Sequence, residues 1–187
     1  LKNVRFTVKD GKKVLYDDFG ELLFTHFGIS GPLVLTASSR IGKKLEKKEL
    51  QAFLDLKAAL SEEQLDGRLL REFENGKNKQ FKNVILSLGG IPPEKKVNEI
   101  TKEERREFIQ VIKHFPLTLT SLREFREAII TQGGVSVKDI QPKNMESKKV
   151  KGLFFIGEVL DLDAVTGGFN LQIAWSTAKA AAEESFE

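Results

Sequence analysis

The chain has 187 residues, of which 40% are hydrophobic and 30% charged, with a formal net charge of +3 and no cysteine. This length suits one domain or two small ones. No apolar run approaches the roughly 20 residues that span a bilayer, so we expect no membrane association. The lack of cysteine excludes disulfides, thiolate metal sites and cysteine nucleophiles, and it favours a cytoplasmic location.

Histidine is nearly as scarce, because only His26 and His114 occur. A multi-histidine metal centre is therefore excluded, and with no acidic cluster in the sequence we predict no metal site. The lysines mostly alternate with Glu and Asp, which indicates a solvated surface rather than one that binds nucleic acid. The chain starts at Leu1 with neither a methionine nor a signal peptide, so we expect it to begin within a longer protein.

The first 60 residues predict mainly β-structure. Val4, Phe6 and Val8 alternate with polar residues, and Asp10-Gly11 offers a tight turn, which together predict a β-hairpin. A further strand is predicted over residues 21–26.

A helix is predicted after Ser30-Gly31-Pro32, which provides an N-cap and an early proline. We expect this helix to run to about Ile41 and to end at Gly42. Alternation over residues 50–56 then predicts another strand.

Residues 61–114 have a helical pattern. Ser61 with Gln64, and Thr101 with Glu104, form capping-box pairs ahead of apolar stripes, and each pair predicts the start of a helix. Another helix is predicted over residues 81–88. We interpret this block as a small helical subdomain.

Phe115 is predicted to lie on the apolar stripe of the last helix in that block. After it, the pattern returns to β-structure. Strands are predicted over residues 117–122 and 125–130. The apolar run 153–156 predicts a strand covered on both faces, as in an α/β sheet. The chain ends in a predicted helix whose alanine-rich stripe includes Trp175, which we expect to lie in the core.

Gly157 and Glu158 directly follow the predicted strand 153–156. Ligands bind at the carboxyl ends of strands in open α/β sheets, where a glutamate can accept hydrogen bonds from ligand hydroxyls and a glycine leaves room for close approach. The alternative is an ordinary strand end with a solvated glutamate.

The segment Thr166-Gly167-Gly168-Phe169 precedes the last helix, which we predict to begin at Asn170. Amide groups at a helix N-terminus attract negative charge, including charge on the edge of a flavin ring. The alternative is a glycine-rich turn with Asn170 as a simple N-cap.

Taken together, these segments resemble a known family. The blocks that carry the resemblance are Gly152 to Glu158, Asp161, Asp163, Thr166 to Gln172 and Ala174-Trp175-Ser176, with support from Gly20 to Pro32, Thr131 to Val135 and Met145-Glu146-Ser147. They are similar to the bacterial NAD(FAD)-utilising dehydrogenases, also called aminoacetone-oxidase-like flavoproteins. Phe154 and Phe169 stand where the family typically has tyrosine, which puts any role of a phenol hydroxyl in doubt.

The resemblance implies an α+β fold in which inserts interrupt a Rossmann-type FAD-binding domain. We expect residues 1–60 and 115–122 to form a β-barrel-like insert that covers the substrate, residues 61–114 the helical insert, and residues 123–187 the C-terminal part of the FAD-binding domain. The Gly-x-Gly-x-x-Gly motif that cradles the FAD pyrophosphate does not occur in the sequence. We therefore expect the N-terminal half of the FAD domain to be this chain's partner, and the chain alone to bind FAD weakly or not at all.

The resemblance also implies which residues hold the cofactor. The flavin-facing set is Gly157, Glu158, Gly167, Gly168, Phe169, Asn170 and Leu171, with Thr131, Gly133 and Gly134 lining the same cleft. No catalytic acid or base is evident. His26 is the one candidate, because imidazole side chains commonly act as general acids and bases, although a packed structural histidine is the alternative.

We therefore predict an FAD-dependent oxidoreductase. It transfers hydride between the flavin and either a nicotinamide (NAD(P)H) or a small organic substrate. We expect the chain alone to be inactive. The alternative hypothesis is a non-catalytic interaction module that binds RNA through a basic surface.

Overall fold

The computed structural model describes residues 1–72, 87–92, 95 and 99–185. The chain divides into two compact units, Leu1–Ser121 and Leu122–Glu187. The helices and strands of the first unit whose bounds the structure describes are β1 (Val4–Asp10), β2 (Lys13–Gly20), β3 (Leu23–Thr25), β4 (Gly28–Ser30), α1 (Pro32–Leu45), β5 (Leu50–Asp55), α2 (Glu62–Glu72), α3 (Lys102–Lys113) and β6 (Phe115–Leu119).

The centre of the first unit is an antiparallel sheet with the strand order β2-β1-β5-β6. The predicted hairpin is confirmed as β1 and β2, and the strand predicted over residues 50–56 is confirmed as β5. The sheet is open, with β2 and β6 at its edges, so the predicted barrel-like insert is not shown by the described residues.

The core of the first unit follows from the alternation in the sequence. Val4, Phe6 and Val8 are at most 1% exposed, and Leu50 and Leu54 lie on the same face of the sheet from β5. Successive side chains of a strand point to opposite faces of the sheet. The alternating apolar residues of β1 and β5 therefore share one face, and that face is buried.

The region after β2 differs from its prediction in two places. Residues 21–26 do not form one strand, because β3 turns back at His26 and Phe27 to pair with β4. Gly42 does not end α1, which continues to Leu45 with Gly42 buried inside it. A buried glycine lets a helix pack closely against its neighbour, and here this outweighs its low helix propensity.

Both predicted capping boxes are confirmed. The Ser61 amide donates to Gln64 Oε1 at 3.0 Å and the Gln64 amide to Ser61 Oγ at 3.2 Å, while Thr101 and Glu104 make the same reciprocal pair at the start of α3. Phe115 is not helical, however, because α3 ends at Lys113 and Phe115 begins β6. The helix predicted over residues 81–88 lies mostly outside the described residues.

The second unit has little regular structure before its last helix. It contains short 3-10 turns at Phe125–Glu127, Val137–Asp139 and Gly157–Val159, followed by α4 (Phe169–Ser185). The strand predicted over residues 125–130 was wrong, since this segment forms only the first 3-10 turn.

The apolar run 153–156 is not a covered strand either. Phe154 makes one isolated antiparallel bridge to Glu146, and Leu153 and Ile156 are 42% and 44% exposed. A strand needs hydrogen-bonded neighbours along its length, whereas this bridge has two bonds, from the Ser147 amide to Leu153 O and from the Phe155 amide to Met145 O. The core placement of Trp175 was also wrong, because this side chain is 64% exposed on α4.

Among the described residues, none of the helices is both long enough and apolar enough to cross a bilayer.

Candidate functional site

The predicted flavin-facing residues lie in three segments of the second unit, and backbone contacts join two of them. Val135 forms a parallel bridge with Leu160: its amide donates to Val159 O at 2.8 Å, and the Asp161 amide donates to Val135 O at 2.8 Å. The segment 131–134 is thereby held beside residues 159–163.

The two glycines of the first segment have different roles in the structure. Gly134 has φ of 133°, and a Cβ there would lie 2.3 Å from Val159 O, so only glycine allows the bridge to close. Gly133 also has a positive φ of 102°, but no atom lies within 4 Å of the position that its Cβ would take. The need for glycine at Gly134 is thus explained by chain packing, whereas Gly133 has open space beside its backbone.

A side-chain contact strengthens this junction. Gln132 Nε2 donates to Asp163 Oδ2 at 3.0 Å, and Thr131, next to it, is exposed. Sequence reasoning missed this bond, because the two residues are 31 positions apart and both belong to irregular segments.

Gly157 begins a 3-10 turn and lies against α4. Its φ is 66°, its amide donates to Thr177 Oγ1 at 3.0 Å, and its Cβ position would be 3.6 Å from the Cβ of Ala174. The Thr177 hydroxyl in turn donates to Ile173 O at 2.8 Å. Gly157 therefore has a structural function that the sequence did not reveal, because Thr177 lies 20 positions away.

Glu158 follows Gly157 on the same turn and is exposed. Its carboxylate makes no hydrogen bond or ion pair with the described part of the chain. Both oxygens are therefore able to accept hydrogen bonds from a ligand.

Asn170 closes the loop that leads into α4. Its Oδ1 accepts from the Ala164 amide at 2.8 Å, and its Nδ2 donates to Ala164 O at 2.9 Å. The helix predicted to begin at Asn170 begins one residue earlier, at Phe169. The alternative of Asn170 as an N-cap is not observed, because its side chain bonds to Ala164 instead. The amide group of Asn170 thus satisfies both polar groups of one residue of the loop.

The loop ends in Gly167 and Gly168, with φ of 111° and 88°. The Cβ position of Gly167 would contact the Phe169 ring at 3.5 Å, whereas nothing lies within 4 Å of that of Gly168. The first helical hydrogen bond of α4 runs from the Gln172 amide to Gly168 O at 3.0 Å. The preceding amide groups, from Phe169 to Leu171, therefore have no acceptor inside the helix.

These features allow definite chemistry. A helix N-terminus with donors that lack helical acceptors attracts negative charge, and an open glycine backbone admits a planar ring. Phe169 and Leu171 add apolar surface beside those donors, because each residue is 55% exposed. The start of α4 can therefore hold a flat, partly anionic group.

His26 belongs to the first unit. It lies in the two-residue turn between β3 and β4, is exposed, and packs edge-on against Phe27 with 5.0 Å between ring centroids. Its catalytic role stays a prediction.

Comparison with known proteins gives several relatives. A protein from Haemophilus influenzae named ribosomal RNA dihydrouridine synthase is 34% identical over 175 residues, which cover 88% of this chain and 42% of that protein. An Escherichia coli protein of the same name is 32% identical over 171 residues, covering 87% and 42%. A Clostridium scindens protein named 3-dehydro-bile acid delta(4,6)-reductase is 30% identical over 190 residues, covering 95% and 46%. The chain thus spans less than half the length of these relatives.

The sequence also matches a family described as the HI0933-like protein Rossmann domain, over residues 11–184. This match confirms the predicted kinship with FAD-binding flavoproteins, while the narrower aminoacetone-oxidase-like assignment stays a prediction. Because the matched residues run through both compact units, the chain belongs to the HI0933-like Rossmann-domain family of FAD-binding flavoproteins.

Proposed function

We propose that this chain supplies the flavin-facing part of an FAD-dependent oxidoreductase that converts uridine in ribosomal RNA to dihydrouridine. The flavin part of the proposal rests on the start of α4, where amide donors without helical acceptors follow a glycine with open space beside it. When bound, FAD supplies hydride-transfer chemistry at its N5 atom.

The residues of the second unit fit this cofactor. The amides from Phe169 to Leu171 and the positive end of the α4 dipole stabilise negative charge on the pyrimidine edge of the ring. Gly133 and Gly168 leave room for a planar group. The carboxylate of Glu158 accepts hydrogen bonds from the hydroxyls of the cofactor's ribityl chain.

The names of the relatives support a reduction of conjugated double bonds. Uridine and dihydrouridine differ by two hydrogens across the C5–C6 bond, which is conjugated with the C4 carbonyl. The 4,6 double bonds of a 3-keto steroid are conjugated with a carbonyl in the same way. In both cases a hydride and a proton add across a carbon–carbon double bond, and we propose NAD(P)H as the electron source.

Between these two substrate classes, the proposal favours ribosomal RNA. Two of the three relatives carry that name, and both have higher identity to this chain than the bile acid reductase. The small organic substrate expected from the sequence becomes the second candidate, supported by the bile acid reductase.

The test is deletion of the gene that encodes this chain, followed by mass spectrometry of nucleosides from purified ribosomal RNA. We expect dihydrouridine to be lost and to return when the unaltered gene is restored. Unchanged dihydrouridine would contradict the RNA substrate. Reduction of a conjugated steroid ketone by the purified flavoprotein, with dihydrouridine unchanged, would instead favour the small-molecule reductase.

The cofactor part is tested separately, on the purified protein that contains this chain. We expect it to carry FAD, and we expect Glu158→Ala to weaken FAD retention about ten- to a hundredfold, because hydrogen bonds to a charged acceptor contribute about 1.5–3 kcal/mol. Glu183→Ala is the matched control, since it removes another exposed carboxylate from the second unit. A protein that carries no flavin would favour the non-catalytic interaction module.

A further inference from the structure

Six lysines of the first unit lie at one corner, where the β1–β2 turn meets the end of α1. We call this set the lysine corner: Lys12, Lys13, Lys43, Lys44, Lys47 and Lys48. Five of the six are exposed, and Lys44 is half-buried.

The two halves of the lysine corner are joined by one carboxylate. Asp10, the last residue of β1, binds Lys48 Nζ at 2.6 Å and lies 3.7 Å from Lys44 Nζ. Lys13 is the cross-strand partner of Asp10, so their side chains lie on the same face of the sheet. The hydrogen bond from Lys48 lowers the pKa of Asp10.

Four of the lysines lie at the C-terminal end of α1 or directly after it. Lys43 and Lys44 lie in its last turn, and Lys47 and Lys48 follow in the turn directly after Leu45. With Gly11 at φ 57°, the turn is tight and adds Lys12 directly beside Lys13.

Charge balance argues for a function of the lysine corner. Its six lysines and the three nearby carboxylates, Asp10, Glu46 and Glu49, leave a net charge of +3, which equals the net charge of the entire chain. Lysines at a helix C-terminus also stabilise the helix dipole. That effect accounts for Lys43 and Lys44 in the last turn of α1 but not for Lys12 and Lys13, which belong to another element.

We propose that the lysine corner, in place of the solvated surface expected from the sequence, binds the phosphate backbone of the RNA substrate, an inference that rests on the proposed function. Closely spaced ammonium groups that are held by a rigid hairpin and helix neutralise successive phosphates and release their counterions. The contact is independent of sequence and positions the RNA on the first unit, whereas base selection belongs to the flavin site.

The test measures binding of the purified protein that contains this chain to deproteinised bacterial ribosomal RNA over a range of salt concentrations. The variant removes four exposed lysines of the corner: Lys12→Gln, Lys13→Gln, Lys43→Gln and Lys47→Gln. We expect at least about tenfold weaker binding and a salt-dependence slope lower by about 3, since each phosphate contact contributes about 0.7–0.9 to that slope.

The control removes the same number of exposed lysines elsewhere: Lys2→Gln, Lys57→Gln, Lys102→Gln and Lys179→Gln. The decrease in salt-dependence slope should be at most half as large in this control variant as in the corner variant. An equal loss in both variants would overturn the proposal, because it would show dependence on net charge alone. Binding to phosphatidylglycerol vesicles through the corner, without binding to the RNA, would also overturn it.

This outcome is separable from the function of the whole protein. Suppose that gene deletion removes dihydrouridine, and that the corner variant restores it and binds RNA with unchanged affinity. The proposal that the lysine corner binds RNA is then wrong, and the proposed function stands. If deletion leaves dihydrouridine unchanged, the proposed function fails even where the corner variant has lost RNA binding.

Discussion

The two compact units differ in how much of their apolar surface they bury. Among the described residues, the first unit has a continuous core of 19 buried apolar side chains, whereas the second buries three, Ile140, Leu160 and Ala181. The second unit instead exposes 13 large apolar side chains, from Leu122 to Trp175. Folding is driven mainly by burial of apolar surface, so the first unit holds its own stabilising core and the second has much less of one.

The difference in buried apolar surface explains why the sequence predicts the first unit better than the second. In a strand with alternating apolar residues, and in a capped helix with an apolar stripe, the sequence shows which face is buried. The second unit has apolar side chains without such a face, and we propose that a glycine-rich half of an FAD-binding domain covers them.

The largest expected effect compares one substitution in both units. Phe6→Ala, at a side chain that is 0% exposed, should lower the free energy of unfolding by about 3–5 kcal/mol. Phe125→Ala, at a side chain that is 84% exposed, should change it by less than about 0.5 kcal/mol. Urea unfolding followed by circular dichroism measures both. Similar losses would mean that the second unit buries Phe125 in solution.

A smaller effect is expected where the second unit is most tightly built. Gly134→Ala should destabilise it by about 3 kcal/mol, because a Cβ 2.3 Å from Val159 O adds overpacking to a left-handed backbone. Gly133→Ala, with open space around it, should cost about 1–2 kcal/mol. Hydrogen exchange at the Val135 and Asp161 amides reports the loss directly. Equal protection in the two variants would refute the role of the close contact.

The loop before α4 should respond to a still smaller degree. Asn170→Ala removes two hydrogen bonds to Ala164 and should cost about 1–2 kcal/mol, with faster exchange of the Ala164 amide. Gln172→Ala is the control, because its side chain donates to Ser176 Oγ at the helix surface and makes no bond to Ala164. If Ala164 remains protected without Asn170, another group holds the loop.

The smallest effect at neutral pH concerns Tyr16 in the core of the first unit. Burial, followed by the charge of Asp18, raises the pKa of Tyr16 to about 12 from an ordinary value of 10.0. A raised pKa stabilises the fold fully below pH 10, and this stability is lost as the pH rises toward 12. The chain has one tyrosine, so ultraviolet titration reports it alone. Tyr16→Phe should flatten the loss of stability between pH 10 and 12, and an equally steep loss would contradict this assignment.

Local signals in the sequence predicted much of the first unit. The alternation of Val4, Phe6 and Val8 and both capping boxes depend on residues within four positions of each other, and all were confirmed. Gly42 was misjudged because its effect depends on burial against a neighbouring element, which propensity alone does not contain.

The second unit was predicted less well, for a physical reason. An apolar run such as 153–156 becomes a strand only where other chain segments provide hydrogen bonds. Periodicity also failed for Trp175, because alanines on several sides of α4 leave the buried face undefined. The candidate site was recognised from short motifs, but its supporting bonds from Thr177 and Gln132 join residues that are far apart in the sequence.

The bond pair between Asn170 and Ala164 has a consequence for engineering. One side chain fixes both ends of the loop, so the five residues between them form a segment closed at its base. Replacements at the exposed residues Val165 and Thr166 should leave Gly167, Gly168 and the start of α4 in place. These two positions are therefore the natural place to introduce a new ligand-contacting side chain on the second unit.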